Sequence, residues 1–325
     1  MVDRAGAAPD RIDGPVGPAL ALVFNAFVWG VSWWPFRQLQ VLGLHPLWAT
    51  AAVYLFSLAC LLALRSGALS SLRGHRGLWL LALAAGLTNV CFNWAVTVGD
   101  VVRVVLLFYL MPAWSVLLAW PLLGERPTPL SLLRLLLALA GVVVVLGSDG
   151  ASWPLPHSLA DWLALIGGLS FALTNILLRR LRAVASQGRV LAMFAGGASL
   201  AGLLALLATA QGLAPAPSWQ PGAAVYGLGL AVAFLLGNVA LQYGAARLAA
   251  HTTALVMLSE VVFASASSVL LGASHAGLRT WIGGALILAA AAWSAWPARR
   301  PQGVRAQLRA TARVRRGSPA PDLDA

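Results

Sequence analysis

One acidic residue, Glu260, is a candidate for chemistry because it lies near the centre of a mostly apolar stretch, residues 251–272. A charge at the centre of a membrane-spanning helix costs roughly 2.5–3.5 kcal/mol. An acid at that depth is therefore expected to be protonated, paired with another group or exposed to a wet cavity. Two interpretations follow. Glu260 couples transport to protons or binds a substrate, or it is a neutral acid that joins neighbouring helices through a hydrogen bond.

A second group of candidates consists of polar and aromatic residues inside apolar stretches. Residues four positions apart lie on one face of a helix. Three sets show this spacing and two single residues complete the group: Asn25, Trp29 and Trp33; Asn89 and Asn93; Asn238 and Gln242; Tyr109; and Asn175. The group predicts either the wall of a cavity that hydrogen-bonds a polar substrate and stacks on its apolar part, or interhelical hydrogen bonds, worth about 0.6 kcal/mol each on average.

Two arginines, Arg37 and Arg103, lie near predicted helix ends. Each either attracts an anionic group of a substrate, such as a carboxylate, or extends its guanidinium to the membrane interface. The cysteines, Cys60 and Cys91, fall inside apolar stretches and are interpreted as core residues. The five histidines are scattered, and no pair has the spacing to share a metal. We therefore predict no metal site and no cofactor.

The elements that must position these residues are membrane-spanning helices. Of the 325 residues 60% are hydrophobic and 10% charged, whereas soluble domains carry about a quarter charged residues. A span needs about 20 mostly apolar residues. We predict an all-α integral membrane protein with ten transmembrane helices, at residues 18–38, 46–64, 77–97, 102–123, 129–147, 160–180, 189–210, 222–243, 251–272 and 279–297.

Local signals mark some helix boundaries. Thr128 followed by Pro129 predicts an N-cap and a first-turn proline before the fifth span. Ser158 with Asp161 resembles a capping box before the sixth span. The proline-rich stretch 214–221 separates the seventh span from the eighth. Such caps matter in lipid, because unpaired backbone groups are expensive there.

The net charge of +12 reflects membrane topology and not nucleic-acid binding. All 22 basic residues are arginine. With the N-terminus in the cytoplasm, 19 of them fall in predicted inner segments, and only Arg37, Arg103 and Arg279 fall on the outer side. The positive-inside rule then places both termini in the cytoplasm. We expect a multi-pass protein of a bacterial inner (plasma) membrane.

Residues 1–17 are predicted to form a cytoplasmic N-terminal tail, and residues 298–325 a polybasic cytoplasmic tail that holds seven arginines. The second tail either binds anionic lipid, at roughly 1 kcal/mol per arginine, or serves as a topology signal with a disordered end. Because the chain has no lysine, the lysine-dependent phosphate loop of ATPases is excluded.

The two halves of the chain are similar to each other. A shift of 149 residues places Asn89-Val90 on Asn238-Val239, and a shift of 142 places Arg37 on Arg179. Shifts of this size carry spans one to five onto spans six to ten. Because five is odd, the second copy is inverted in the membrane. We predict two five-helix repeats, residues 18–147 and 160–297, with a substrate site near mid-membrane between them.

Several motifs resemble the EamA-type repeat of the drug/metabolite transporter superfamily: Trp29-Gly30 followed by Arg37, Leu107-Phe-Tyr-Leu-Met-Pro112, Leu123-Gly-Glu-Arg126 and Ala140-Gly-Val-Val-Val. The resemblance covers roughly residues 20–297. Its second half departs from the pattern, with Ser259-Glu260-Val261 where the family usually shows Leu-Glu-Pro. The resemblance implies a ten-helix fold and transport of small polar or amphipathic metabolites, often outward, among them amino acids and related compounds.

We therefore predict a secondary transporter that exports small metabolites by alternating access. A further hypothesis is that Glu260 couples this transport to protons. The alternative is an intramembrane enzyme that acts on lipid or small molecules. The obvious protease motifs are incomplete: Gly168-Leu-Ser170-Phe171 lacks the second glycine of the serine type, and Thr97-Val-Gly-Asp100 lacks the first glycine of the aspartyl type. A channel or scaffold without coupling would leave Glu260 unexplained.

Overall fold

The computed structural model describes residues 16–64, 75–124, 126–147, 155–218, 220–248, 253, 256–274 and 277–295. These residues form helices and no strand. The helices are α1 (Val16–Val31), α2 (Trp33–Val41), α3 (Pro46–Leu64), α4 (Arg76–Val98), α5 (Val101–Phe108), α6 (Met111–Leu123), α7 (Pro129–Leu146), α8 (Leu159–Arg180), α9 (Ser186–Ala210), α10 (Pro221–Arg247), α11 (Ser259–Leu270) and α12 (Leu278–Ala295).

The helices agree with the predicted spans. Within the described ranges, eight helical segments are long and apolar enough to cross a membrane, and two shorter apolar helices follow, Ser259–Leu270 and Leu278–Trp293. The prediction of an all-α membrane protein is therefore confirmed. Most of the predicted cytoplasmic tails, residues 1–15 and 298–325, lies outside the described residues, as do several residues at the start of the ninth span.

The predicted helix caps are confirmed. The Thr128 hydroxyl accepts a hydrogen bond from the Ser131 N–H, 3.2 Å between the two atoms, with Pro129 in the first turn of α7. At the start of α8, the Ser158 hydroxyl accepts from the Asp161 N–H at 3.1 Å, and the Asp161 carboxylate accepts from the Ser158 N–H. Each cap pairs backbone donors that would otherwise be left without a partner.

The first and fourth spans are interrupted, which the sequence analysis did not predict. The first span is divided into α1 and α2 at Ser32, and the fourth into α5 and α6 at residues 109–110. In each case a proline follows the last residue of the first helix by four positions: Pro35 follows Val31, and Pro112 follows Phe108. A proline has no N–H to bond the carbonyl four residues earlier. The interruptions therefore fall where the helical ladder loses a donor.

The Phe108 carbonyl, which Pro112 cannot bond, faces a glycine. A Cβ atom added to Gly168 of α8 would lie 2.6 Å from the Phe108 carbonyl oxygen. Any larger residue would thus collide with the backbone at the interruption. Small residues allow helix backbones to approach closely in membrane proteins, and here the approach buries the end of α5 against α8.

A close crossing of two helices joins α4 and α9. A Cβ atom on Gly196 would lie 1.9 Å from the Ala82 carbonyl oxygen, and one on Gly86 would lie 2.4 Å from the Gly196 carbonyl oxygen. The two backbones are therefore in direct contact. Elsewhere the bundle exposes large apolar side chains, such as Leu136, which is 63% exposed, and Leu203, which is 54% exposed. Such an exterior suits a lipid environment.

We predict that Gly196→Ala destabilises the protein, because the added methyl group must force α4 and α9 apart. Overpacking of this kind costs about 1–3 kcal/mol. The measurement is the melting temperature of the purified protein in detergent. Gly229→Ala is the matched control, since Gly229 also lies inside a helix but has no atom within 4 Å of an added Cβ. Equal melting temperatures for the two variants would contradict the close crossing.

Candidate functional site

The buried carboxyl group of Glu260 lies in the first turn of α11, between α1 and the interruption of the fourth span. Glu260 is 8% exposed. A Cβ atom on Gly30 of α1 would lie 2.8 Å from the Glu260 carbonyl oxygen, so the backbones of α1 and α11 touch at this level. The interruption brings Tyr109 to the same place. The sequence-predicted candidates Glu260 and Tyr109 are therefore neighbours in the structure.

The hydroxyl group of Tyr109 joins two acceptors on the segment that leads into α11. It lies 3.0 Å from Glu260 Oε2 and 3.1 Å from the Met257 carbonyl oxygen. A phenol has one proton to donate, so it can donate to only one of these oxygens at a time. Both contacts become hydrogen bonds when Glu260 carries a proton, because Glu260 then donates to the phenol oxygen and Tyr109 donates to Met257. In either state the Tyr109 hydroxyl links Glu260 to the backbone of the segment that leads into α11.

Asn25 of α1 contacts the same residue, Met257. Its Nδ2 lies 3.5 Å from the Met257 sulfur, and Asn25 is 1% exposed. The Asn25 Oδ1 atom is buried and has no hydrogen-bond partner among the described residues. On the other side, a Cβ atom on Gly237 of α10 would lie 3.2 Å from Oδ1. Asn25, Tyr109 and Glu260 thus converge around Met257, and one acceptor remains open to a donor.

The tryptophans of the first span lie next to this group. The Trp29 ring stacks on Phe234 of α10, with 4.6 Å between the ring centroids, and meets Phe92 of α4 at 6.1 Å with the ring planes at 67°. Trp33 Nε1 donates to Ser267 Oγ of α11 at 2.9 Å. Trp29 therefore joins α1, α4 and α10 through aromatic contacts, whereas Trp33 joins α2 to α11 through a hydrogen bond.

The paired amides on α4 and α10 have different surroundings. Asn89 is 8% exposed and Asn93 is fully buried, and Asn93 Nδ2 donates to Thr50 Oγ1 at 3.3 Å while its Oδ1 has no partner in the described part of the chain. On α10, Gln242 Nε2 donates to Asn238 Oδ1 at 2.6 Å. Gln242 is exposed and Asn238 partly so.

The structure does not join all the amides to Glu260. Among the described residues, Asn238 and Gln242 bond each other and not Glu260, Tyr109 or Asn25. Asn175 lies half-buried on α8. The aligned sequence positions of the two halves therefore differ in burial. Their role in a cavity wall stays a prediction.

Both candidate arginines have partners inside the protein. Arg103 Nε and Nη2 donate to the two carboxylate oxygens of Asp161 on α8, at 2.8 and 3.0 Å, and Nη1 donates to the Val145 carbonyl at 3.3 Å. Arg37 donates to the carbonyls of Val96 and Gly99 at the end of α4. Neither guanidinium is simply extended toward an interface, since each joins separate helices.

Sequence reasoning missed the polar group around Arg103. Asp100 Oδ1 caps α5 by accepting from the Arg103 N–H at 2.9 Å, and its Oδ2 accepts from the Ser274 hydroxyl beyond α11. We call Asp100, Arg103, Asp161 and Ser274 the Arg103 cluster. The signal that points to it is the sign of charge: Arg103 and Asp161 are opposite charges that fall at the same predicted end of the bundle.

Comparisons with known proteins agree with this architecture. Residues 17–147 match the model of the EamA-like transporter family, which is part of the drug/metabolite transporter superfamily. Fourteen chains of known structure match the fold. One of them, a protein of known crystal structure, is 21% identical, with a TM-score of 0.55 over 86% of this chain and 96% of its own. At that identity the likeness concerns the fold alone. A search of curated proteins finds no match.

The helices define the chain as a multi-pass membrane protein. Its residues 17–147 are similar to the EamA-like transporter family, which bears out the predicted resemblance over the first half of the chain.

We predict an energetic coupling between Tyr109 and Glu260. In a double-mutant cycle of Tyr109→Phe and Glu260→Leu, the two changes should be non-additive by about 0.5–1.5 kcal/mol, the range of a single hydrogen bond. The measurement is the thermal unfolding of the four proteins in detergent. Tyr54→Phe with Glu260→Leu is the matched control, since Tyr54 is also a buried tyrosine but its hydroxyl shows no hydrogen bond in the described residues. Additivity in both cycles would refute the contact.

Proposed function

We propose that this protein is a secondary transporter that exports small metabolites, such as amino acids or related compounds, by alternating access coupled to protons at Glu260. The observation that carries the proposal is the buried Glu260–Tyr109 pair at 3.0 Å, placed where α1, α11 and the interrupted fourth span meet. A membrane-embedded acid next to irregular backbone is typical of ion and substrate sites in transporters. The match to a transporter family favours this reading over an intramembrane enzyme.

We further propose that the two halves are inverted repeats. The packing of α7 against α12 supports this. A Cβ atom on Gly141 would lie 2.6 Å from the Gly283 carbonyl oxygen, and one on Gly283 would lie 2.6 Å from the Gly141 carbonyl oxygen. The added Cβ on Gly141 would also lie 3.0 Å from the backbone nitrogen of Ile287, and the one on Gly283 would lie 2.9 Å from that of Val145. Both pairs of residues differ by the sequence shift of 142, so each helix presents the same groups to the other.

The direction of these two helices agrees with inversion. Arg134, near the start of α7, lies over the ring of Trp293, near the end of α12, at 5.4 Å. Arg279, at the start of α12, donates to the carbonyl of Gly147, just after the end of α7, at 3.0 Å. The two helices are therefore antiparallel. A twofold axis in the membrane plane relates a helix to an antiparallel copy of itself, so these contacts support the proposal.

Two other pairs of equivalent helices have the same relation. For the second and seventh spans, Trp48 near the start of α3 donates to Thr209 near the end of α9 at 3.2 Å. For the fourth and ninth spans, Val102 at the start of α5 donates to Ser274 after the end of α11 at 3.3 Å. Each equivalent pair that is in contact thus runs antiparallel. This pattern supports rocking of one half against the other.

The Arg103 cluster closes one end of the interface between the halves. It joins α5 of the first half to α8 and to Ser274, beyond the end of α11, in the second. By the arginine distribution this end is the outer one. The sequence shifts place Thr252 and Ala19 at the equivalent positions of Arg103 and Asp161. The Arg103–Asp161 ion pair therefore has no charged counterpart at the equivalent positions of the repeat. We propose that this ion pair holds the outer gate closed.

The membrane location belongs to the same proposal. Arginines cluster at one end of the described helices, as at Arg76, Arg179, Arg180, Arg189 and Arg247. The positive-inside rule assigns that end to the cytoplasm. We accordingly propose a bacterial inner membrane protein with both termini in the cytoplasm, which exports its substrate with protons moving in the opposite direction.

We predict that Glu260→Gln abolishes the dependence of transport on a proton gradient, because the amide cannot release a proton. The measurement is uptake of a radiolabelled amino-acid panel by proteoliposomes, with and without the gradient. Substrate-dependent counterflow in the same vesicles establishes that the wild-type protein is a carrier. Glu260→Asp keeps an ionisable acid and is expected to retain the gradient dependence, at a lower rate.

For Glu260, normal transport with unchanged pH dependence in Glu260→Gln would remove the coupling role. Absence of counterflow for every compound in the wild-type protein would remove the carrier itself. The two results are separate, so the coupling residue and the transport activity are tested independently.

We predict that breaking the Arg103–Asp161 pair opens the outer end. Val105 of α5 is 2% exposed, one turn or less from Arg103. With Cys60 and Cys91 replaced by alanine and Val105 by cysteine, a membrane-impermeant maleimide outside right-side-out vesicles should label the protein several-fold faster after Asp161→Asn. Mass spectrometry gives the labelled fraction over time.

The matched control for this experiment is Arg279→Gln, which also removes an outer arginine but one that bonds Gly147 between α12 and α7. Its labelling rate should equal that of the parent. The gate proposal fails if Asp161→Asn and Arg279→Gln give the same rate.

A further inference from the structure

An arginine joins the first span to the third at the end of the bundle that the arginine distribution assigns to the outside. Arg37 of α2 donates from Nε to the Val96 carbonyl at 3.2 Å and from Nη2 to the Gly99 carbonyl. Both carbonyls lie at the C-terminal end of α4, where the last carbonyls of a helix have no partner within it and carry partial negative charge. The guanidinium also lies over the Trp33 ring, 5.1 Å from its centroid. Arg37 therefore fastens α2 to the end of α4.

The repeat has a second arginine at the equivalent position. The sequence shift of 142 carries Arg37 onto Arg179, near the end of α8. The shift of 149 carries Gly99, the residue after α4, onto Leu248, the residue after α10. The arginine and the helix end that it bonds in the first half thus both have counterparts in the second half.

The two helix ends have the same geometry. The Gly99 N–H donates to the Ala95 carbonyl at 2.8 Å, and the Leu248 N–H donates to the Gly244 carbonyl at 3.0 Å. Ala95 and Gly244 also differ by 149 positions. The φ angles of Gly99 and Leu248 are −105° and −109°. The end of α10 therefore presents its carbonyls as the end of α4 does.

Helix packing agrees with this equivalence. α1 packs against α10 and α11, and α8 packs against α4, α5 and α6. The repeat exchanges these two groups, because spans one, eight and nine correspond to spans six, three and four. Asn25 contacts Met257 in the first group. Their counterparts in the second group, Gly167 and Phe108, are also neighbours, since a Cβ atom on Gly167 would lie 3.4 Å from the Phe108 ring.

The equivalent ends of the two groups differ in packing. At the outer end α2 packs against α4, and Val96 is 1% exposed. At the inner end, within the described ranges, α8 and α10 do not pack closely. Arg179 and Ala245, the counterparts of Arg37 and Val96, are exposed. The structure thus has the two groups joined at the outer end and not packed together at the inner end.

We propose that Arg179 is a latch for the inner end. When the outer end opens, its guanidinium donates to the Ala245 and Leu248 carbonyls, in the way that Arg37 holds the end of α4 now. Arg179 makes other interactions in this structure, which it would exchange for these carbonyls. The two arginines then stabilise opposite end states.

This inference rests on the proposed function, because alternating access exchanges the conformations of the two repeats. The movement is that of the group α1, α10 and α11 against the group α4, α5, α6 and α8. Since each group contains helices of both halves, a rotation that separates the outer ends of the groups brings their inner ends together. A hydrogen-bonded arginine at each end gives this movement two defined stopping points.

The experiment measures distances between spin labels by double electron–electron resonance. The full chain is purified in detergent with both native cysteines replaced by alanine. An outer pair of labels is attached to cysteines that replace Gln40 and Val98. An inner pair, in a separate protein, is attached to cysteines that replace Arg182 and Arg247, the counterparts by shifts of 142 and 149. Gln40 and Val98 are exposed at the packed end, so labels at equivalent positions leave room for closure.

Breaking the outer contact should change both distances. Arg37→Gln should lengthen the outer distance and raise the fraction of short inner distances several-fold. Adding Arg179→Gln should lower that short fraction several-fold. Arg180→Gln is the matched control, because Arg180 is also an exposed arginine of α8 but corresponds to Gln38. Adding it should leave the short fraction unchanged.

Three outcomes would overturn the proposal. The first is an equal short fraction after Arg179→Gln and after Arg180→Gln, each combined with Arg37→Gln. The second is an outer distance that lengthens while the inner distance stays the same. If Arg37→Gln fails to fold, Ser274→Ala replaces it, since it removes another bond between the two groups at the outer end, from Ser274 to Asp100. The third outcome is an outer distance that lengthens in neither variant.

The distances are read without a substrate, so the latch and the transport activity are tested separately. Counterflow by a protein whose distances never change would refute the latch and leave the proposed function. The expected changes in distance without counterflow would support the latch and remove the carrier activity for the compounds tested.

Discussion

The missing N–H of Pro112 is the constraint on which the site depends. A membrane-spanning helix must pair its backbone groups within the protein, because lipid offers them no partner. Pro112 cannot bond the Phe108 carbonyl, so α5 ends there and α6 begins after a short turn. The turn is tolerated because it is covered by protein, with Gly168 of α8 close to the freed carbonyl. Tyr109 lies in this turn and therefore meets Glu260.

The packing of the halves follows from a second backbone requirement. Where α7 crosses α12 and where α4 crosses α9, glycines let the backbones touch. Lipid supplies no hydrophobic force between helices, so close van der Waals packing of this kind holds them together. Such interfaces contain few side chains that must be repacked when helices move. The charged contacts of the Arg103 cluster are different in kind, because separating Arg103 from Asp161 leaves a buried charge unpaired.

The sequence predicted the features that depend on local composition. Apolar length identifies spans because a bilayer imposes it, and the caps at Thr128 and Ser158 could be predicted because each depends on residues at most three positions apart. The burial of Glu260 among apolar residues made it a candidate, and its position between α1 and α5 agrees with that. The sequence alone left open whether the Glu260 carboxyl group is protonated, paired with another group or exposed to a wet cavity. The structure shows that it has a hydrogen-bonded partner, Tyr109.

The remaining features depend on which helices are neighbours, which no single stretch of sequence contains. Arg103 and Asp161 are 58 positions apart and pair because α5 and α8 happen to be adjacent. Asn89 and Asn238 align in the sequence, yet α4 is surrounded by other helices while Asn238 and Gln242 lie on a more exposed part of α10. Internal symmetry of the sequence fixes equivalent positions along the chain but not equivalent burial.

The short helix α5 connects the two polar regions of the bundle. Asp100 and Arg103 lie at its start, and Tyr109 follows directly after its end. Its eight residues span about 12 Å. In the proposed cycle, loss of the Glu260 proton leaves Tyr109 as the donor to the carboxylate, and the Tyr109 hydroxyl then no longer donates to the Met257 carbonyl. Rotation of that hydroxyl is enough for the change of partner, so a movement of α5 needs a further cause, such as substrate binding. Because α5 holds Arg103 near its start and leads into Tyr109 at its end, a displacement of this helix would reach both polar regions of the bundle.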